Sequence, residues 1–512
     1  MRVALVFNPF SYKVHEENLR AVQKYFGLFP PLSLAWVASM VRKAGHEVII
    51  VDCRTLDLTK QDAASILKSW RPDVIGAMMT TYMFPETLSW LAYLRSELSA
   101  CGMRPKVLVG GYNLRVYPVE SLSHPEIDFG CLEHAYHTVP ALLRELERPY
   151  PDLESVPGLV WKRGGSVVVN PHPQAVDFDL FPNPARDLLP NELYAEFPTQ
   201  RKNFTVMVTS LGCPRRCAFC EAGGTPYAPR SPKTVLDEMQ ECVGRHGVRE
   251  IDIFDYDFTA GRQRLLDICA GIVERGLDVT WACRSRVDNM DAGLLSVMAG
   301  AGCRRIYWGI EHGSQETLDR LGKGIRLETV RETLSLSRRA GIQNLGFFLV
   351  GVPGETEASA EATAAFSRSL DLDYAQFSKL LAKPGTGLWR DMKAGGWRDY
   401  WADWVAGREI DRELPRPWLS GLTSERLDRL AHEAYLKFAF RPSLILRHLA
   451  ACRSWAELLR KVLAFLDMAL GRLLPRRQGA FRIHHENPAA ASLRRRASAL
   501  PGRVPAEVDA DA

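Results

Sequence analysis

The chain has 512 residues, too many for one ordinary domain, and its length predicts two or three. Apolar residues make up 46% and charged residues 24%, which excludes a mainly disordered or collagen-like protein. The net charge of +5 is unevenly distributed, because residues 441–500 carry 12 Lys and Arg against three Asp and Glu, leaving −4 on the other 452 residues. A globally basic nucleic-acid binder is therefore a poor description, and no nucleic-acid partner is expected.

Residues 1–148 alternate strand-like and helix-like patterns. Short apolar runs rich in β-branched residues predict strands, and longer segments with helical spacing lie between them. The predicted strands are Val3–Phe7, Val48–Val51, Val74–Met79 and Val107–Val109, and the predicted helices are Leu32–Ala44, Thr59–Trp70 and Glu86–Ala100. Buried parallel strands joined by helices predict an α/β domain of Rossmann-like (flavodoxin-like) type. The proline-rich residues 149–200 predict a connecting segment.

A second alternating block covers residues 201–387 and predicts six more strands. They are Thr205–Thr209, Glu250–Phe254, Asp278–Ala282, Arg305–Gly309, Asn344–Val350 and Tyr374–Lys379. Repeated βα units predict a closed or partial parallel (β/α) barrel, whose reactive groups gather at the carboxyl ends of the strands. Residues 388–477 predict a helical, Trp-rich region, and residues 478–512 a disordered tail.

Three of the 11 cysteines, Cys213, Cys217 and Cys220, lie within eight residues, directly after the first strand of the second block. The chain has no second CxxC pair, which disfavours a four-ligand zinc site. Three thiolates on a [4Fe–4S] cluster leave one iron open to bind a substrate, whereas the alternative is an incidental or structural group of cysteines. No signal peptide or apolar run of about 18 residues is visible, so we expect a cytoplasmic protein. In that compartment clustered cysteines favour a metal centre over disulfides.

The pattern Cys213-x3-Cys217-x-aromatic-Cys220 resembles the signature of the radical S-adenosylmethionine (SAM) superfamily. Further segments match that family in order: Arg230-Ser-Pro, Asp255-Tyr-Asp257-Phe-Thr259, Trp281-Ala-Cys-Arg-Ser-Arg286, Gly309-Ile-Glu311-His-Gly313-Ser314 and Gly351-Val-Pro-Gly354. The resemblance implies a [4Fe–4S] cluster held by the three cysteines, with SAM chelating the open iron. It also implies that reduction cleaves SAM to a 5′-deoxyadenosyl radical, which abstracts hydrogen from a substrate.

The same resemblance suggests five SAM-binding residues. The Glu311 carboxylate is expected to accept hydrogen bonds from ribose hydroxyls, and the Arg286 guanidinium to pair with the SAM carboxylate. Asp257 and Ser314 are expected to face SAM from neighbouring strand ends, and Phe219 to shield the cluster or the adenine. The structural alternatives are an ion pair at the barrel rim for Glu311 or Arg286 and ordinary packing for Phe219.

The first domain lacks Gly-x-Gly-x-x-Gly, which disfavours a dinucleotide. The segments Pro30-Pro-Leu-Ser-Leu-Ala-Trp-Val-Ala, Lys43-Ala-Gly-His-Glu-Val and Gly110-Gly111 instead resemble the cobalamin-binding domain that precedes many radical SAM proteins, in the group named for the anaerobic magnesium-protoporphyrin ester cyclase. The expected cobalamin contacts are Thr80, Thr81, Tyr82, Gly110, Gly111 and Asn113. For each of them loop capping or packing is the alternative. The chain lacks Asp-x-His-x-x-Gly, so histidine ligation of cobalt is unsupported.

Two cofactor domains in one chain favour a cobalamin-dependent radical SAM methyltransferase that acts on an unactivated carbon. One alternative keeps both cofactors for oxidation, cyclisation or rearrangement, and another is a non-catalytic cobalamin or SAM sensor. A methylthiotransferase of tRNA is disfavoured, because Cys53, Cys101 and Cys131 lack a compact cluster-binding pattern. A small-molecule or lipid-like substrate and a reducing partner such as flavodoxin or ferredoxin are expected.

Residues 443–474 interleave leucines with basic residues. This pattern is typical of a helical cap that packs on the barrel, which is our preferred interpretation. It is also typical of helices at an anionic membrane surface, so peripheral membrane contact is the alternative.

Overall fold

The structure is a computed structural model. It describes residues 1–10, 27–172, 177–196, 199–201, 203–408, 416, 418–419 and 421–450, with backbone only for residues 449–450. No helix within these residues is long and apolar enough to cross a membrane.

The first domain is built on a seven-stranded sheet. Its strands and the small strand β2 are β1 (Arg2–Phe7), β2 (Gly27–Leu28), β3 (Glu47–Asp52), β4 (Val74–Met78), β5 (Lys106–Gly110), β6 (Phe129–Cys131), β7 (Leu159–Arg163) and β8 (Ser166–Val169). The helices are α1 (Leu32–Lys43), α2 (Lys60–Trp70), α3 (Phe84–Ser99), α4 (Tyr112–Val116), α5 (Pro118–Leu122) and α6 (Ala135–Leu146). The order is β3-β1-β4-β5-β6-β7-β8, with the first five strands parallel. This is the flavodoxin-like order that the sequence predicts, and it places a ligand-binding crevice at the carboxyl ends of the central strands.

The predicted boundary at residue 148 does not coincide with the edge of this sheet. Strand β7 pairs antiparallel with β6, and β8 pairs with β7, so part of the predicted connecting segment belongs to the first domain. Gly164 and Gly165, both with positive φ, make the tight turn between β7 and β8. The proline-rich composition of residues 149–200 concealed this hairpin.

The second domain is a partial barrel. Its strands and the neighbouring short ones are β9 (Ala195–Glu196), β10 (Phe204–Met207), β11 (Ser210–Cys213), β12 (Thr225–Pro229), β13 (Glu250–Ile253), β14 (Thr280–Ser285), β15 (Cys303–Glu311), β16 (Gln343–Val350) and β17 (Tyr374–Lys379). The helices are α7 (Pro232–Arg245), α8 (Arg262–Glu274), α9 (Ala292–Gly300), α10 (Gln315–Arg320), α11 (Leu327–Arg339) and α12 (Glu357–Arg368). Six parallel strands follow the order β10-β13-β14-β15-β16-β17, which confirms the predicted α/β class and all six predicted strands.

Charged and polar side chains of β13, β14 and β15 form a largely buried network in the partial barrel. The Arg284 guanidinium donates to both Asp252 carboxylate oxygens, at 2.6 and 3.1 Å. The Tyr307 hydroxyl donates to Glu196 Oε1 at 2.9 Å. Glu196 lies on β9, which pairs with β2, so a strand outside the barrel places its carboxylate among the barrel side chains.

The C-terminal region is helical, as predicted, as far as the structure describes it. Its helices are α13 (Gly387–Ala394), α14 (Tyr400–Val405), α15 (Ser424–Ala439) and α16 (Pro442–Ala450). Arg441 donates to the Arg368 carbonyl at 2.8 Å, and Arg447 lies 3.3 Å from the Asp373 carboxylate, so α16 is tied to the barrel. That agrees with the cap interpretation for this helix. Residues 451–474 and the predicted tail 478–512 lie outside the described residues.

Candidate active site at two facing strand edges

The three clustered cysteines lie on one loop, residues 213–224, which we call the cysteine loop. The hairpin β11–β12 holds its ends, and inside it the Cys220 amide donates to the Cys217 carbonyl at 3.1 Å. Burial raises the pKa of Cys213 and Cys220, and the charge of Cys217 raises both further. All three cysteines lie on this loop, which comes after β10 and β11 along the chain, and their binding of a cluster stays a prediction.

The donor set of the cysteine loop fits an iron–sulfur cluster. All three cysteines are free of disulfides, and soft thiolates select zinc or iron–sulfur clusters. Within the part of the chain that the structure describes, no three His, Cys, Asp or Glu side chains are close enough to hold one metal ion. In a [4Fe–4S] cluster each cysteine binds a different iron, so the sulfurs stand farther apart than the ligands of one ion.

Two further elements fix the position of the cysteine loop. Asp255, which follows β13, accepts hydrogen bonds of 2.6 Å from the Thr209 amide, the Thr209 hydroxyl and the Ser210 hydroxyl. Ala218, inside the loop, donates to the Leu321 carbonyl at 3.0 Å and accepts from the Leu388 amide at 2.9 Å. The loop is thus held before any cofactor binds, as a preorganised site requires.

Glu311 ends strand β15 in a left-handed conformation, with φ of 69°, and is paired with Lys323. The Lys323 ammonium lies 2.7 Å from Glu311 Oε1. A Cβ atom on Gly309 would lie 2.5 Å from Lys323 Nζ and 2.8 Å from Glu311 Oε1, so only glycine leaves room for the pair. Lys323 was not predicted, although its place in Gly322-Lys323-Gly324, with φ of 64° at both glycines, marks an unusual turn.

Arg286 is already engaged by protein groups. Its guanidinium donates to both oxygens of Asp288, at 2.9 and 3.0 Å, and to the Lys323 carbonyl at 2.7 Å. This is the ion pair at the barrel rim that was the structural alternative. Binding of the SAM carboxylate by Arg286 stays a prediction.

Asp257 and Ser314 also have protein partners. The Asp257 carboxylate accepts from the Asn289 amide at 3.0 and 3.1 Å and from the Thr259 hydroxyl at 2.8 Å. Ser314 caps α10 by accepting from the Thr317 amide at 3.4 Å. Both residues lie at the strand ends where the sequence places them, and their contacts with SAM stay predictions.

Phe219 packs in an apolar cluster that includes Leu321, Val352 and Leu388. The Lys323 ammonium lies 5.9 Å from the centre of its ring. Phe219 therefore joins the cysteine loop to the Glu311–Lys323 pair and to α13, and its shielding of the cluster or adenine stays a prediction.

The predicted cobalamin contacts follow two adjacent strands of the first sheet. Thr80, Thr81 and Tyr82 come after β4, and Gly110 and Gly111 end and follow β5, with Met78 of β4 in register with Gly110. Gly111 has φ of 132°, and a Cβ there would lie 2.6 Å from the Met79 carbonyl oxygen, so glycine is required. Asn113 is fully buried and donates to the Ser121 hydroxyl at 2.6 Å, which favours a structural role for it.

This strand edge and the cysteine loop face each other. Lys383 reaches both, since its ammonium lies 4.0 Å from Glu221, next to Cys220, and 6.0 Å from the centre of the Tyr82 ring. A Cβ on Gly385 would lie 2.5 Å from the Tyr112 hydroxyl, and Tyr112 begins α4 directly after Gly111. Tyr112, Glu221 and Lys383 were not predicted, because only the tertiary structure brings them together.

Two family models match the chain in the order of its domains. The B12 binding domain matches residues 21–143, and the radical SAM superfamily matches residues 207–367. The fold and the cysteine loop therefore define a radical SAM enzyme with an N-terminal B12-binding domain. Its cofactors are a [4Fe–4S] cluster, SAM and cobalamin.

Individual proteins similar to this chain support the same assignment. The chain is 32% identical over 459 residues to an uncharacterised methyltransferase of Pyrococcus horikoshii, covering 87% of this chain and 94% of that protein, and it belongs to the same family. It is 26% identical over 378 residues to the anaerobic magnesium-protoporphyrin IX monomethyl ester cyclase of Rubrivivax gelatinosus, covering 72% and 67%. The cobalamin-dependent SAM radical enzyme OxsB, solved with aqua-cobalamin and SAM, has the same fold, with a TM-score of 0.67 at 18% identity over 92% of this chain and 71% of that one.

Proposed function

We propose that this protein is a cobalamin-dependent radical SAM C-methyltransferase that methylates an unactivated carbon of a small-molecule or lipid-like substrate. The observation that carries the proposal is the placement of the cysteine loop opposite the carboxyl edge of the first sheet, across Lys383 and Gly385. A substrate between these two edges would meet both cofactors. The methyltransferase name of the Pyrococcus horikoshii relative supports methyl transfer over other radical reactions.

When bound, the cluster with SAM supplies a 5′-deoxyadenosyl radical, and cobalamin supplies the methyl group. The residues of the chain hold, orient and shield these groups. Cys213, Cys217 and Cys220 would hold the cluster. The Glu311 carboxylate, which is paired with the Lys323 ammonium, would accept hydrogen bonds from ribose hydroxyls. Gly111 lets backbone approach a ligand at the end of β5.

The test is anaerobic reconstitution with iron, sulfide and hydroxocobalamin, followed by SAM with a trideuterated methyl group and a low-potential chemical reductant. We expect 5′-deoxyadenosine and cobalamin that carries the trideuterated methyl, both measured by mass spectrometry. Absence of 5′-deoxyadenosine would reject radical SAM catalysis. Failure to retain cobalamin would reject the cobalamin-dependent subclass.

A second candidate is an oxidative cyclase or a rearrangement enzyme with the same cofactors. The similarity to the Rubrivivax gelatinosus cyclase favours it. The same experiment separates the two functions, because this candidate predicts 5′-deoxyadenosine without label on cobalamin. A non-catalytic sensor predicts bound cobalamin without either product.

We further propose a cytoplasmic enzyme that receives electrons from flavodoxin or ferredoxin. Residues 451–474 are the candidate segment for membrane contact, because Arg441 and Arg447 are engaged with the barrel. Flotation with anionic liposomes, with and without residues 451–512, tests this contact. Equal flotation of the two proteins would reject it.

A further inference from the structure

Residues 381–407, which we call the bridging segment, pack on both domains. Leu381, Trp401 and Val405 are part of the buried apolar core of the first domain. Leu388 and Met392, on α13, pack instead in the apolar cluster that contains Phe219 of the cysteine loop. One short stretch of chain therefore touches the cobalamin-binding domain with both of its ends and the cysteine loop with its middle.

Hydrogen bonds attach the bridging segment to the first domain near the predicted cobalamin edge. The Trp404 indole donates to the Thr81 carbonyl at 2.9 Å. The His124 ring nitrogen Nε2 lies 2.6 Å from the Val405 carbonyl oxygen. Thr81 follows β4, so this attachment begins where the predicted cobalamin contacts lie.

The middle of the bridging segment is attached to the cysteine loop. The Leu388 amide donates to the Ala218 carbonyl at 2.9 Å, one residue from Cys217. A Cβ on Gly387 would lie 3.2 Å from the same carbonyl oxygen, so α13 begins in close contact with the loop. Movement of α13 would therefore move the cysteines.

Asp399 joins the two attachments through one carboxylate. Its Oδ1 accepts from the Tyr117 hydroxyl of the first domain at 2.8 Å, from the Trp389 indole of α13 at 3.3 Å and from the Ala402 amide of α14 at 3.2 Å. Its Oδ2 lies 3.3 Å from the Lys393 ammonium. The side chain is only 13% exposed, and hydrogen bonds to a carboxylate so shielded from water are strong.

We propose that the bridging segment sets the distance and orientation between the cobalamin edge and the cysteine loop, with Asp399 as its central positioning residue. The inference rests on the proposed function in one respect: both cofactors must act on one substrate. Reactions of this kind are sensitive to geometry, since a misplacement of about 1 Å can reduce a rate roughly 100-fold. Asp399 is not itself expected to touch substrate or cofactor.

The test compares Asp399→Ala and Tyr117→Phe with a matched control, Asp403→Ala. Asp403 is also a buried carboxylate of the bridging segment, but its side chain pairs with Arg398 of that segment and with Arg408, the residue that directly follows it. Asp399→Asn, which keeps the acceptor oxygen, is the conservative variant expected to restore most of the wild-type behaviour.

The first readout needs no cofactor. In hydrogen–deuterium exchange of the full chain, we expect roughly tenfold faster exchange in residues 112–124 and 387–394 of Asp399→Ala, and a smaller increase in Tyr117→Phe. Asp403→Ala should leave residues 112–124 unchanged. Wild-type exchange at both sites in a folded Asp399→Ala protein would overturn the proposal. If that variant does not fold, wild-type exchange in Tyr117→Phe would overturn it.

The second readout is the distance between the reduced cluster and cob(II)alamin, measured by pulsed electron paramagnetic resonance in protein loaded with both. We expect a distribution at least twofold wider in Asp399→Ala than in the wild type or Asp403→Ala. An unchanged distribution would overturn the positioning role. Because this distance needs only bound cofactors, it remains measurable even if the wild type methylates nothing, so failure of the proposed function is distinguishable.

Discussion

The Lys323 ammonium lies 2.7 Å from the Glu311 carboxylate at the end of β15, and each side chain is less than a tenth exposed. Neither charge is solvated as it would be in water, so each depends on the other. This pair stands beside Phe219 of the cysteine loop. The pair therefore contributes to the stability of the barrel rim at the place where SAM is predicted to bind.

Lys323→Met is expected to lower the free energy of unfolding by about 3 kcal/mol, because it leaves the Glu311 carboxylate buried without its cation. Urea unfolding of the cofactor-free protein measures the change. Lys233→Met is the control, since Lys233 is 81% exposed in its pair with Asp237 and should cost less than about 1 kcal/mol. Equal effects of the two substitutions would contradict this account.

Replacing any one of Cys213, Cys217 or Cys220 with Ala is expected to abolish stable cluster binding, because each thiolate would hold a different iron. Iron content and visible absorption after anaerobic reconstitution measure the loss. Cys242→Ala, at a buried cysteine of α7, serves as the control and should keep wild-type iron. Retention of full iron by all three loop variants would place the cluster elsewhere.

We expect the stability of the protein to depend on pH because of the buried carboxyl group of Glu196. Burial, together with the charge of Asp252, raises the pKa of Glu196 from its ordinary value of 4.5 to about 8. The folded protein then holds a proton that the unfolded chain releases, so this contribution is fully present below about pH 4.5 and is lost as the pH rises to about 8. Over this range the free energy of unfolding falls by at most about 1.4 kcal/mol per pH unit because of Glu196.

Glu196→Gln removes this titration while keeping an acceptor for the Tyr307 hydroxyl. Between pH 5.5 and 8, we expect its unfolding free energy, measured in urea, to fall less steeply than that of the wild type. Burial also raises the pKa of Asp252, so part of the slope should remain. Parallel curves for the two proteins would refute the assignment to Glu196.

Gly111→Ala is expected to weaken cobalamin binding at least tenfold, because the new Cβ would push against the Met79 carbonyl at the end of β4. Titration of the cofactor-free protein with hydroxocobalamin, followed by absorbance, measures it. Gly102→Ala isolates the cost of positive φ, since Gly102 has φ of 74° and no atom within 4 Å of its Cβ position. The Gly102→Ala control should bind cobalamin as tightly as the wild type does. Wild-type affinity in Gly111→Ala would show that cobalamin does not bind at this strand edge.

Much of the fold was predictable because local patterns carry it. Apolar runs of strand length and helical spacing identified the six barrel strands, and the cysteine spacing marked the cluster-binding loop. The hairpin β7–β8 was missed because the prolines on either side of it and the two glycines of its turn resemble a linker. The roles of Asp255 and Lys323 were missed because a carboxylate or ammonium in the sequence does not reveal its partner.

The sequence by itself determined the two α/β domains, their order and the chemistry of the cysteine loop, since strand period and thiol spacing are local properties. Only the tertiary structure decided that residues 381–407 bridge the domains and that Asp399 bonds Tyr117. Those two residues are 282 positions apart, and the hydrogen bond between them exists only after both domains fold and dock. Contacts of that separation depend on packing, which no local pattern encodes.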